Sequence, residues 1–333
     1  MTLRQRFLDL EASMNQQVLG QPELVRMLII ALLCDGHVLL EGLPGLAKTR
    51  AVRELARHIE GDFSRIQFTP DLLPSDITGS EIYQQHATRE EEQFRFRPGP
   101  VFGNLILADE INRASARVQS ALLEAMEERH VTVAGNSWPL PGVFMVLATQ
   151  NPVDQEGTWP LPEAQLDRFL MKVLVHYPSK ENEQRVMQLV RAEQQAKYCE
   201  QDTPAVSAAT PPPVRISQAD MGRCWQAISD IYVAPTMEDY IVSLVEMTRQ
   251  PQQVSDTFAS YVALGISPRG TLALDRAGRA QAWLEGRDAV LPDDIQRIAP
   301  AVLRHRLLLS YQASADQVTA DDVVRMLLDA VVA

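Results

Sequence analysis

Eight residues, Gly42-Leu43-Pro44-Gly45-Leu46-Ala47-Lys48-Thr49, constrain this chain more than any others. They follow the apolar run Val38-Leu39-Leu40 and precede a helix-patterned segment from Arg50 to Ile59. A strand, a glycine-rich turn and a helix start in that order make a phosphate-binding loop. Glycines let backbone N–H groups approach a polyphosphate, and the helix N-terminus adds partial positive charge. Lys48 can reach the β- and γ-phosphates, and the Thr49 hydroxyl suits a magnesium ion. Ala47 stands where such loops usually carry glycine. Its methyl group costs little in helical backbone and strains the loop if φ must be positive. The competing reading is a glycine-rich turn with an incidental lysine.

Charge narrows the partners. The 31 Lys+Arg and 43 Asp+Glu of the 333 residues give a net charge of -12. Such a surface repels phosphate backbones, so there is no strong nucleic-acid signal. Three dispersed cysteines, Cys34, Cys199 and Cys224, without a CxxC pair, read as reduced thiols in a cytoplasmic protein. The six histidines are scattered without HExxH, which gives a zinc site little support. The apolar stretch Met27 to Cys34 is too short to span a bilayer and reads as a buried helix face.

Five segments read as buried strands: His37–Glu41, Phe63–Phe68, Asn104–Ala108, Val143–Ala148 and Leu170–Val175. Helical patterns between most of them argue for a parallel α/β sheet covered on both faces. Two stretches break the rhythm. Phe94-Arg95-Phe96-Arg97 alternates like a hairpin strand, and so does His130-Val131-Thr132-Val133 before the turn Ala134–Ser137 and the return through Trp138 and Leu140. Either could be surface decoration. Beyond Tyr177-Pro178 the pattern is helical apart from the proline-rich stretch Gln201 to Val214, read as a linker. Thr236 with Asp239 and Thr319 with Asp322 read as capping boxes.

Four further positions carry chemistry. Leu105 to Glu110 is an apolar strand ending in two acids. Asp109 would hold magnesium through its water shell, and Glu110 would orient or deprotonate an attacking water. Alone, the pair equally suits an acidic helix N-cap; with Lys48 and Thr49 upstream, the functional reading prevails. Asn151 ends the fourth strand. In a sheet ordered 5-1-4-3-2 it would point between the γ-phosphate and the water, unless Asn151-Pro152 is merely a turn. Arg168, just before the fifth strand, could reach a neighbouring subunit's nucleotide or make only a surface salt bridge. Ser267 and Pro268 open a helix with Arg269 in its first turn, where a cation opposes the helix dipole. That placement asks for an anion partner, a γ-phosphate or a nearby acid.

These motifs, in this order, resemble an AAA+ ATPase, and in detail the MoxR family. The strings that carry the resemblance are GLPGLAKT, FTPDLLPSDITG, FRPGPVF, LADEINRASARVQSALLEAMEE, VTVAG, ATQNP, LPEAQLDRF and SPRG, spanning about Val18 to Gly270. Ala47 is itself usual in this family's phosphate loop. The resemblance implies an α/β core at residues 1–177, with a helix-2 insert at about 70–102 and a pre-sensor-1 hairpin at about 130–141. It implies an all-helical lid at 178–333 with a linker at about 199–215. It gives Lys48, Thr49, Asp109 and Glu110 the Walker roles, Asn151 sensor 1, Arg168 the arginine finger and Arg269 sensor 2, acting on its own nucleotide or a neighbour's. Arg113 and Arg117 are the alternates for the finger. Val18 and Leu19 would lie by the adenine, and Arg50 joins the nucleotide contacts.

The cofactors implied are ATP and Mg2+. Such proteins assemble as rings, commonly hexamers, and often work with a partner bearing a von Willebrand factor A domain. The function expected is ATP-driven, chaperone-like remodelling or metal insertion on a client protein. The alternatives are a slow nucleotide-gated scaffold and a helicase-like nucleic-acid motor, the latter supported only by Arg95 and Arg97.

Overall fold

The computed structural model describes residues 2–42, 48–83, 94–152, 158–202 and 215–332. The loop residues Leu43 to Ala47, the insert tip 86–93, the side chain of Cys199 and the stretch 203–214 lie outside the described residues.

The first half runs through helices α1 (Leu3–Gln17) and α2 (Pro22–Leu33), strand β1 (Val38–Glu41), helix α3 (Lys48–His58) and strand β2 (Phe63–Gln67). The short helix α4 (Pro74–Thr78) leads into paired strands β3 (Gly79–Tyr83) and β4 (Phe94–Pro98), then β5 (Leu105–Asp109) and helix α5 (Ala116–Glu128). A second pair, β6 (His130–Val133) and β7 (Asn136–Pro139), precedes β8 (Met145–Gln150), the single turn α6 (Glu163–Leu166) and β9 (Met171–Leu174). Strands β2, β5, β8, β1 and β9 form one parallel sheet in that order. Counted among the core strands this is 2-3-4-1-5, the expected order read from the other edge.

The pleat sorts side chains between two cores. Leu39, Ile106, Ala108, Val146 and Ala148 face α5 residues such as Val118 and Leu122. Val38, Leu40, Leu107, Leu147 and Val173 face the other way, into a cluster that continues through Phe7, Ile30, Leu274 and Ile298 to Leu327. The sheet and the C-terminal helices therefore share one apolar interior, with α2 at its centre. Arg26 is buried within α2 and is matched by Glu11 at 2.8 Å, Glu285 at 2.5 Å and Gln281 at 3.2 Å.

Both interruptions of the alternating pattern are antiparallel hairpins, β3 with β4 and β6 with β7. They are tied to each other. Phe96 stacks on Trp138 with centroids 4.5 Å apart and meets Phe102 edge-on at 5.5 Å.

The C-terminal half comprises α7 (Lys180–Asp202), α8 (Gln218–Ser229), α9 (Pro235–Arg249), α10 (Asp256–Tyr261), α11 (Pro268–Leu284), α12 (Pro292–Leu303), α13 (Tyr311–Ala315) and α14 (Ala320–Ala330). One small strand pair, β10 (Val262–Leu264) with β11 (Leu308–Leu309), adds to the helical expectation. Helix α7 runs to Asp202, past the expected start of the linker at 199, because no glycine or proline interrupts it before Pro204. Thr319 and Asp322 do form a capping box. Thr236 does not cap α9, because Pro235 takes the first helical position and Ala234 becomes the N-cap. No described helix is long and apolar enough to cross a membrane.

Two buried histidines are held neutral. His37 Nδ1 accepts from the Val146 N–H at 3.0 Å, so Nε2 carries the proton and donates to the Met126 carbonyl at 3.2 Å. Burial, helped by Arg129, pushes its pKa down to about 3 from 6.5. His305 donates to the Phe169 carbonyl at 3.0 Å, and burial lowers its pKa as well. The unfolded chain binds these protons first, so stability is full above about pH 6.5 and falls below it. For His37 the loss is ~1.4 kcal/mol per pH unit between its unfolded and folded values. Thermal unfolding should shift to lower temperature between pH 7 and pH 5, and a flat profile there would contradict the neutral-histidine account.

Candidate functional site

The carboxyl edge of the parallel sheet gathers the first set of residues. Strand β1 ends at Glu41, and the chain re-enters the described structure at Lys48, the first residue of α3. Gly42 is close-packed: a Cβ there would meet the Val175 carbonyl oxygen at 2.7 Å. Lys48 Nζ donates to the Gly42 carbonyl at 2.5 Å. Burial lowers the Lys48 pKa, while Asp109, Glu110 and Glu41 pull it the other way. All three acids are thus near enough to act on the ammonium.

Asp109 ends β5, next to β8, and Glu110 follows it. Thr149, buried on β8, joins them. Its hydroxyl donates to Asp109 Oδ1 at 2.7 Å and accepts from the Glu110 N–H at 2.9 Å. Arg65 on β2 pairs with Asp109 Oδ2 at 2.6 Å. Gln67 donates to Glu110 Oε2 at 3.2 Å, and Arg113 pairs with the same oxygen at 2.9 Å. Glu110 has φ 57, left-handed backbone that costs a non-glycine residue about 1 kcal/mol or more. Neither acid caps α5, because Ser115 occupies that N-cap. Glu110 stands instead at the N-cap of a single 3-10 turn, Ile111–Arg113, and its side chain makes no capping hydrogen bond there.

Asn151 follows β8 at the same edge, and its carbonyl accepts from Asn112 Nδ2 at 3.3 Å. Val18 is buried and Leu19 half-buried at the end of α1. Arg50 donates to Gln17 at 3.1 Å and pairs with Glu193 of α7, so the Val18–Leu19 turn lies beside the first turn of α3. Thr49 is in that same turn. A hydroxyl and a carboxylate suit magnesium, a hard cation that keeps waters and phosphate oxygens as its other ligands. No cluster of three or more His, Cys, Asp or Glu among the described residues forms a protein cage for a metal. That donor set fits an ion arriving with a nucleotide.

The second set lies at the opposite edge. Arg168 precedes β9, whose Met171 pairs with Val38 at the start of β1. Its guanidinium pairs at 2.8 Å with Glu127, in the last turn of α5. Arg269, in the first turn of α11, pairs with the other oxygen of that carboxylate. The anion partner that Arg269 asks for is thus present within the chain. Next door, Asp167 accepts from the Ser267 hydroxyl at 2.7 Å and pairs with Arg306 at 2.8 Å. Burial pulls the Arg306 pKa down to about 10, against the attraction of Asp167, so it stays a cation at neutral pH. A cavity of about 620 Å³ opens beside these groups, with His37, Arg129, Arg276 and Arg279 also in its wall.

Core strands of four to six residues separate the two edges by roughly 13–20 Å. The structure brings Lys48, Asp109, Glu110 and Asn151 together, and brings Arg168 and Arg269 together, but not the two sets. Sequence reasoning passed over Thr149, Gln67 and Glu127, and read Arg306 only as a basic residue closing a helix. The only advance signal was Glu127, an acid at the helix end where the dipole disfavours one.

Residues 37–171 match the model of the ATPase family associated with various cellular activities (AAA). Residues 257–327 match the AAA lid domain. The chain is 45% identical to Chaperone MoxR1 of Mycobacterium tuberculosis over 317 residues, 94% of this chain and 78% of that protein. It is also 45% identical to the uncharacterized protein YeaC of Bacillus subtilis, over 95% of this chain and 91% of the other. A crystal structure of a candidate ATPase from Cytophaga hutchinsonii superposes with a TM-score of 0.86 at 41% identity, covering 99% of this chain and 95% of that one.

The Asp167–Arg306 pair can be tested directly. Asp167→Ala leaves Arg306 buried without its carboxylate and should cost about 3 kcal/mol in denaturant unfolding. Adding Arg306→Met should restore part of that loss. A single variant as stable as the parent would show that the pair does not hold the structure.

Proposed function

This chain belongs to the MoxR family of AAA+ ATPases, and we propose that it works as an ATP-hydrolysing ring whose nucleotide is bound by one subunit and read by the next. One observation carries the proposal: Arg168 and Arg269 sit together at the sheet edge opposite Lys48, Asp109 and Glu110. Within one chain the arginines cannot reach a triphosphate on Lys48. In a head-to-tail ring, each subunit presents its arginines to the loop of the next.

On this reading Gly42 and the residues Leu43 to Ala47 bind the phosphates, and Lys48 binds their terminal oxygens. Thr49 and, through water, Asp109 would hold magnesium, which neutralises phosphate charge when bound. Glu110 orients the attacking water from its left-handed turn, with Thr149 fixing its backbone. Asn151, the residue after β8, would serve as the sensor of the same phosphate. Arg168 is the finger and Arg269 the sensor, both in trans. Val18, Leu19 and Arg50 border the nucleotide from the α1 side. The core then spans residues 1–177 and the lid 178–333. The ring is a hexamer acting in the cytoplasm on a protein client, as a chaperone-like remodelling or metal-insertion factor beside a partner with a von Willebrand factor A domain. The mycobacterial relative is named a chaperone, which supports that direction.

A slower variant of this function has its own support. Gln67 and Arg113 both engage Oε2 of Glu110, which ties up one of its two oxygens. Basal turnover would then be low and rise when a partner docks.

Two variants test the reading. Glu110→Gln should bind ATP and hydrolyse it at least about tenfold more slowly; unchanged turnover removes Glu110 from its role. Arg168→Ala should keep nucleotide affinity and oligomeric state while turnover falls by roughly 10³. A normal rate from Arg168→Ala oligomers would transfer the finger to Arg113 or Arg117.

A further inference from the structure

We infer that Glu127 is a positioning residue whose carboxylate gathers Arg168 and Arg269 so that both meet one terminal phosphate on a neighbouring subunit. The inference rests on the proposal that these arginines act in trans.

The two arginines come from separate elements, the turn before β9 and the first turn of α11. Their guanidinium groups converge because each takes one oxygen of the same carboxylate, Arg168 on Oε2 at 2.8 Å and Arg269 on Oε1. Without an anion between them, two cations at that spacing repel and splay. Helix dipoles make the arrangement unusual on both sides. Glu127 lies in the last turn of α5, where negative charge is disfavoured, and that turn holds no basic residue. Arg269 lies in the first turn of α11, where positive charge is disfavoured. Each charge opposes its own helix, and each is compensated by the other.

Stability does not explain the cluster. The side chains of Arg168, Glu127 and Arg269 are 31%, 36% and 46% exposed, and ion pairs so exposed contribute little to folding. Exposure does leave the cluster reachable. Each guanidinium spends Nη2 on Glu127, and its other side-chain nitrogens have no partner among the described residues. One carboxylate between two guanidinium groups leaves a net single positive charge with free donors, which suits a terminal phosphate.

The test is ATP turnover by the full-length assembled protein with Glu127→Ala and Glu127→Gln. Glu127→Gln offers one acceptor oxygen instead of two. Both should lower kcat at least about tenfold while KM for ATP stays within about twofold, because Glu127 lies at the edge away from Lys48. Glu127→Asp should recover part of kcat. In an Arg269→Ala background, Glu127→Ala should cost far less than it does alone. Wild-type kcat in both Glu127 variants, with Arg168→Ala inactive, overturns this inference and leaves the trans reading standing. Faster turnover would mark Glu127 as a competitor for the arginines and also overturn it. Normal turnover in Arg168→Ala would overturn the trans reading itself.

Discussion

Arg306 is a guanidinium with 3% of its side chain exposed, and the geometry of the second set of residues runs through it. It pairs with Asp167 and donates to the carbonyls of Phe169 and Leu170 as the chain enters β9. Ser267 donates to the same Asp167 carboxylate. Asp167 is the neighbour of Arg168, and Ser267 is two residues from Arg269. One partly buried carboxylate thus ties down the neighbours of both arginines, one on each side of the junction between sheet and C-terminal helices. A charge pair buried this far is not an efficient source of stability, but losing one partner leaves the other stranded. The junction is therefore held in one arrangement or broken.

The parallel sheet supplies the rest of the logic. All five strands point the same way, so one edge collects the strand ends that carry Gly42, Asp109, Glu110 and Asn151. The opposite edge collects the strand starts, and Arg168 stands at one of them. On the proposed reading, a sheet with different chemistry on its two edges is incomplete as a monomer and complementary to a copy of itself. The shared apolar cluster from Phe7 through Ile30 to Leu327 makes the C-terminal helices part of the same body. A change at one edge can then be felt at the other through packed side chains and through the Asp167 joint.

Most of the core was legible from short-range pattern. Apolar runs of strand length, the glycine-rich turn after Leu40 and the acids after Ala108 located the strands and marked the residues that gather at their carboxyl edge, because those signals sit within a few consecutive residues. Capping was legible where a side chain had no competitor, as at Thr319, and misread at Thr236, where Pro235 opened the helix one residue earlier. The partners that complete each cluster were not legible. Thr149 meets Asp109 across adjacent strands, Glu127 meets Arg269 across 142 residues, and Arg306 meets Asp167 across 139. Nothing in local periodicity encodes such pairings. The small β10–β11 pair escaped for the same reason, since two and three residues carry no readable alternation.

The central claim is that the two half-sites of one chain serve two different nucleotides. Mixing Lys48→Ala subunits with Arg168→Ala subunits tests it most directly, since each variant alone lacks one half of every site. Mixed oligomers, verified by differential labelling, should regain ATP turnover at boundaries where an intact loop faces an intact arginine. Co-assembled mixtures as inactive as either parent would contradict the account and require both halves to act within a single subunit.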